Sequence, residues 1–145
     1  MNDTPMMKQY QEIKNRYQEE ILFFRLGDFY EMFQDDAREA SRILNLTLTA
    51  RNSVPMCGIP FHAAKNYIKR LLDAGKKVAV CEQVTLPEAG KGIVKREVTQ
   101  ILTPGTVIDE DLLPSSANNY ILSVALLPKK KTVSLSFADV STGEF

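Results

Sequence analysis

Residues 20–26 read EILFFRL, with Ile21, Leu22, Phe23 and Phe24 in unbroken succession. Successive side chains of a strand point to opposite faces of its sheet, so a strand apolar at every position must be covered on both faces. This run therefore demands sheet neighbours beside it and a layer of structure above and below. The flanking sequence supplies candidates for both. Thr4-Pro5 has the chemistry of an N-cap followed by an N1 residue, and Met6, Tyr10, Ile13 and Tyr17 then recur at helical spacing. From Asp28 the pattern turns helical again, with Tyr30, Phe33, Ala37, Ala40 and Leu44 on one face and Asp35, Asp36, Arg38, Glu39 and Arg42 mostly on the other. Residues 62–74 give a third helix, with Tyr67, Ile68, Leu71 and Leu72 inward and Gly75 as the C′ residue.

Strand patterns fall between these helices, at 46–50 (LTLTA), 56–61 (MCGIPF), 77–84 (KVAVCEQV) and 93–102 (IVKREVTQIL). Asn52-Ser53 and Pro55 mark a tight connection, and TLPEAGKG (85–92) reads as a loop. The expected fold is α/β, a mixed sheet flanked by three helices over residues 1–108. Residues 109–119, DEDLLPSSANN, lack periodicity and read as a linker. YILSVALL and TVSLSFADV, joined by Pro128-Lys129-Lys130-Lys131, then form the first strands of a second domain over 120–145. Two strands alone are marginally stable in water, so this second domain is expected to be truncated.

The 145 residues are 44% hydrophobic and 25% charged, the balance of a globular chain. No stretch reaches the roughly 20 apolar residues of a membrane helix. The start, MNDTPMMKQYQEIK, has no export core, which points to the cytoplasm. In that setting Cys57 and Cys81 are expected as buried thiols, not a disulfide.

Eighteen basic and eighteen acidic residues cancel, but unevenly. Residues 1–50 carry six basic and nine acidic side chains, 51–100 nine and four, and 101–145 three and five. The middle third has the excess of positive charge that a phosphate backbone requires, and a solvated basic face has the same composition.

Several catalytic chemistries fail on spacing. Neither Gly90-Lys91 nor Gly75-Lys76 completes a P-loop, because Thr85 and Arg70 stand where that motif needs glycine. Cys57, His62 and Cys81 lack paired zinc-ligand spacing, and nothing in the pattern orients them as nucleophile and base. Asp35-Asp36 falls on the outward helix face, where solvated acids are the rule.

The octet LGDFYEMF, residues 26–33, leaves two readings open. Asp28 and Glu31 fit a D-x-x-E capping box at a helix start. Phe29 is either a cover for the strand end or an apolar wedge of the kind that unstacks bases from the minor groove. A carboxylate repels phosphate, so a ligand-facing Glu31 beside such a wedge would read a base edge.

The same octet resembles the N-terminal part of the MutS family of bacterial DNA mismatch-recognition ATPases. TPMMKQY, FFRLGDFYEMFQDDAREAS, LTLTAR, PMCGIPFHAAKNYIKRLL, KVAVCEQV, KREVTQILTPGT and DVSTGEF are similar to segments of that family in the same order, over residues 4–145. The resemblance implies a mismatch-recognition domain followed by the start of a ribonuclease-H-like connector. It also implies that Phe29-Tyr30-Glu31 is the family's Phe-x-Glu motif, with Phe29 stacking on a mispaired or unpaired base and Glu31 hydrogen-bonding it. Arg51 and Arg96 are then expected near DNA, with Leu26 beside the motif. Two features depart from the family pattern: the loop 51–54 (RNSV) is short, and the ATPase, lever and clamp domains are missing.

On this reading the chain is non-enzymatic and holds no cofactor. ATP and magnesium belong to the full-length, DNA-dependent ATPase, which acts as a homodimer with mismatched duplex DNA and the repair protein MutL as partners. Two rivals remain: a protein-interaction module using the connector, and a metal-dependent nuclease built on Asp28, Glu31 and Asp35.

Overall fold

The computed structural model describes residues 4–85, 94–105, 118 and 120–139. The chain divides into two compact units, Met1–Thr106 and Val107–Phe145. The linker expected at 109–119 lies outside the described residues apart from Asn118, as does the loop expected at 85–92 beyond Thr85.

The first unit is a six-stranded sheet with helices on both faces. Helix α1 (Pro5–Lys14) opens as its sequence requires: the Thr4 hydroxyl accepts from the Met7 N–H at 3.3 Å, and Pro5 takes an early position where an N–H would go unpaired. The strands are β1 (Glu20–Leu26), β2 (Phe29–Phe33), β3 (Thr49–Arg51), β4 (Val54–Pro60), β5 (Lys77–Gln83) and β6 (Arg96–Leu102), in spatial order β3-β4-β2-β1-β5-β6. Only β1 and β5 run parallel, so the sheet is mixed. Strand β1 sits inside it, with Ile21 to Phe24 all buried. Leu22 and Phe24 pack under Tyr10 and Ile13 of α1, with Phe33, Ala79 and Cys81. On the opposite face lie α2 (Gln34–Leu44) and α3 (Ala64–Asp73), which also touch each other. The unbroken apolar run is thus covered on both sides, as the expected α/β architecture requires.

One element differs from expectation. No helix starts at Asp28: residues Phe29–Phe33 form β2, and α2 begins at Gln34 with no side-chain cap. Asp28 and Glu31 therefore make no capping box. Gly27 takes φ +57° while Asp28 keeps a negative φ, which is the pattern of a two-residue II′ turn joining β1 to β2. Within β2, Tyr30 and Phe33 point to opposite faces of the sheet, so they never shared a helical stripe. That stripe begins with Ala37, Ala40 and Leu44. Strand pairing on both sides of β2 outweighs the local helical spacing, since each partner satisfies a row of backbone groups.

The β2–α2 joint is held by Asp36. Pairing between β1 and β2 stops at Phe24 opposite Glu31, and the Leu22 N–H beyond that point donates to Asp36 Oδ2 at 3.0 Å. Lys14 Nζ reaches the other oxygen at 2.8 Å, and the Tyr10 hydroxyl donates to Oδ2 at 3.5 Å. Asp36, expected with Asp35 on the solvated outer face of its helix, is thus buried instead, and its carboxylate ties α1, β1 and α2 together. Both cysteines are free and buried, as expected. Burial pushes their thiols up, Cys57 to about 11 and Cys81 to about 12, so neither is a nucleophile at neutral pH.

In the second unit β7 (Tyr120–Leu127) and β8 (Thr132–Asp139) pair antiparallel, with Leu127 opposite Thr132 at the turn. Pro128–Lys130 form a single tight turn, and Lys131 closes it in the left-handed region at φ +49°. The Tyr120 and Phe137 rings meet edge to face.

Candidate nucleic-acid interface

The β1–β2 hairpin decides where Phe29 and Glu31 point. Alternation along β2 puts Phe29, Glu31 and Phe33 on the α1 face and Tyr30 and Met32 on the other. Phe33 is fully buried under Tyr10, whose hydroxyl donates to its carbonyl. Two residues back, Glu31 is at the margin of that cover. A further two residues back, Phe29 stands clear of it and is 48% exposed. Its cross-strand neighbours are Leu26 on β1 and Pro60 on β4.

Glu31 is opposite Gly58 on β4. A side chain at 58 would begin 3.4 Å from the Tyr30 carbonyl oxygen and 3.5 Å from Glu31 Cγ, so the glycine leaves the space beside the Glu31 stem unfilled. A groove of about 450 Å³ results, lined by Phe29, Glu31, Thr47, Thr49, Met56 and Gly58 among others. Glu31 is only 7% exposed, yet a single ion pair holds it: Oε1 lies 2.7 Å from Arg51 Nη2, and buried Oε2 has no hydrogen-bond partner. Burial pushes this carboxyl above its ordinary range; Arg51 pulls it back only in part.

Arg51 is the last residue of β3, next to a two-residue turn in which Asn52 and Ser53 both have positive φ, the I′ pattern. The expected site residues Phe29, Glu31 and Arg51 therefore come together. Leu26 is partly buried against the α1 core and adjoins Phe29. Arg96, at the start of β6, shares the face but has other work. It is 7% exposed, donates to Arg25 O at 2.6 Å, Gln9 Oε1 at 2.9 Å and Val94 O at 3.0 Å, and lies over the Phe24 ring.

The acids of the nuclease alternative are not gathered. Asp28 is exposed in the hairpin turn, Glu31 pairs with Arg51, and Asp35 pairs with Arg38 on the outer side of α2. Among the described residues no three His, Cys, Asp or Glu side chains are placed to hold a metal ion. Sequence reasoning overlooked Gly58 and the threonines at 47 and 49. A glycine inside an otherwise apolar strand was the available signal, since it marks a close approach.

A family model described as MutS domain I matches residues 4–111. The chain belongs to the MutS domain I family. Several members are similar over nearly the whole chain. The DNA mismatch repair protein MutS of Treponema denticola is 59% identical over 150 residues, covering 98% of this chain and 17% of that protein. MutS of Staphylococcus carnosus is 53% identical over 99% of this chain and 17% of its own length. MutS of Halothermothrix orenii is 54% identical over 98% and 16%. The chain thus spans about a sixth of the length of these MutS relatives. The mixed sheet with helices on both faces described above is consistent with MutS domain I. No helix among the described residues is long and apolar enough to cross a membrane.

Proposed function

We propose that this chain recognises mispaired or unpaired bases in duplex DNA, with Phe29 as a wedge stacking on the base from the minor groove and Glu31 hydrogen-bonding its edge. The observation that carries this reading is the pairing of a half-exposed Phe29 with a buried Glu31 that keeps one free oxygen, two residues apart on one strand. An aromatic ring standing clear of its sheet meets a base face at little conformational cost, because its strand is fixed on both sides. A carboxylate among phosphates is repulsive, so a purely electrostatic grip would not place Glu31 there; reading a base edge gives it a purpose.

Discrimination then comes from deformability. A mismatched step is weakly paired and stacked, so prying it open costs less than at a matched step, and the wedge samples that difference. The zero net charge of the chain fits this role, because strong backbone grip needs a large net excess of positive charge, and here eighteen acidic residues cancel eighteen basic ones.

By the names of its relatives, we assign the chain to a longer mismatch repair protein. In that protein a homodimer, MutL and ATP with magnesium are the expected partners and cofactors. ATP and magnesium do not fit these residues: the sequence has no complete P-loop, and no acidic group for a metal ion is formed among the described residues. The nucleotide chemistry is accordingly assigned outside this chain. The deciding experiment is Phe29→Ala in the full chain, with fluorescence anisotropy on mismatched and matched duplexes. The mismatch-to-match affinity ratio is expected to collapse toward one; an unchanged ratio refutes the wedge.

A further inference from the structure

Arg51 and Glu31 should not meet on sheet register alone. Arg51 lies opposite Val54, and Glu31 lies opposite Gly58, so the two are four residues apart along β4 and on different sides of it. In a flat sheet that offset is roughly 13 Å along the strand, before the spacing across β4 is added. The two side chains nonetheless make an ion pair at 2.7 Å. The reach of the two long side chains, together with the twist that an I′ turn at Asn52-Ser53 shares with its strands, closes that gap.

That contact is asymmetric. It occupies Oε1 and leaves Oε2 buried without a partner, beside a groove lined by Phe29, Glu31, Thr47 and Thr49. A buried carboxylate oxygen without a hydrogen bond is costly, and it has value where a ligand supplies the missing donor. We propose that Arg51 is a positioning residue for base reading: its guanidinium fixes Oε1 of Glu31, so that Oε2 is the oxygen presented to a base edge. The proposal rests on the base-reading role of Glu31 given above. It adds that specificity depends on a second residue, which acts through Glu31 and not by gripping the backbone itself. The ion pair also offsets part of the charge on the presented group, which lessens the repulsion a lone carboxylate would meet between two phosphate strands.

Arg51 lies at a hairpin end with its side chain 45% exposed, so its replacement leaves the core intact. The test is a double-mutant cycle in the full chain, using Arg51→Met, Glu31→Ala and the pair, with mismatched and matched duplexes over a range of salt. Arg51→Met is expected to lower the mismatch-to-match ratio about fivefold, the worth of one ordinary hydrogen bond, about 1 kcal/mol. In the Glu31→Ala background the same change should have no further effect on the ratio. Arg51→Lys, which keeps the charge but not the planar fork, should retain the salt dependence and lose part of the ratio.

The proposal is overturned if Arg51→Met weakens matched and mismatched binding equally and reduces the salt slope by about one, the signature of a phosphate contact. It is also overturned if the effect on the ratio persists undiminished without Glu31. Either result leaves base reading intact as long as Glu31→Ala by itself lowers the ratio, so failure of the positioning role and failure of the base-reading role are distinguishable.

Discussion

Phe29 pairs directly with Leu26 across a turn of only two residues, Gly27 and Asp28. The direction of the Phe29 side chain is therefore set by the shortest hairpin a chain can make. Its first central residue, Gly27, has φ +57°, and a Cβ there would meet nothing within 4 Å. Any penalty for substitution is thus backbone strain alone. Gly27→Ala should cost about 1 kcal/mol in a urea melt. Gly27→Asn should cost less, because asparagine is, after glycine, among the residues most often found at the positive-φ positions of hairpin turns. Equal costs for the two would show that the turn relaxes to another type.

Phe29 is half exposed, so its removal tests function more than folding. Phe29→Ala should lower stability by at most about 1 kcal/mol while removing mismatch preference. Glu31→Ala should behave differently, losing part of the preference while overall affinity for DNA holds or rises, because a negative charge leaves the groove. Both quantities come from paired titrations of mismatched and matched duplexes.

Glu31 also predicts a stability signature. Its folded-state pKa is raised, by burial above all and against the pull of Arg51. The folded state therefore holds that proton more tightly than the unfolded chain. The resulting stabilisation is present below the ordinary value of 4.5 and is lost as pH rises through the higher folded value. Glutamine does not titrate, so Glu31→Gln should be more stable than the parent at pH 7, on the order of 1 kcal/mol. The gap should narrow as pH falls below 4.5, which thermal melts of the two proteins across pH would show.

Asp36 is the opposite kind of buried acid, with all its partners in place. Asp36→Ala strands the Leu22 N–H, the Lys14 ammonium and the Tyr10 hydroxyl, and should cost about 3 kcal/mol. Asp36→Asn keeps an acceptor for the Leu22 N–H and should cost less. Chemical denaturation at neutral pH measures both.

Arg96 was expected beside DNA, and its three hydrogen bonds give a way to separate that role from a structural one. Arg96→Met should cost about 2 kcal/mol of stability, because the Arg25 and Val94 carbonyls lose a buried donor. Among folded molecules, the mismatch-to-match ratio should hold. A normal melt with a lost ratio would place Arg96 in the interface instead.

The sequence by itself determined the architecture. EILFFRL had to be buried on both faces, and the helical stripes on either side of it were apolar enough to provide the cover. Thr4-Pro5 marked the first helix and KVAVCEQV a strand, which the fold pairs parallel to β1. These features are legible because they depend on local chemistry and on periods of 2 and 3.6 residues. The family was legible too, from ordered motifs along most of the chain.

The site's geometry was not. Tyr30 and Phe33 fitted a helical stripe, and only the two neighbours of β2 made the segment a strand, through backbone pairing that no local window contains. Glu31 read as a capping residue until that pairing turned it onto the α1 face. Its partner Arg51 lies 20 residues away, and its open space comes from Gly58, 27 residues away. Contacts of that kind depend on strand register and twist, and those are settled only when the whole sheet assembles.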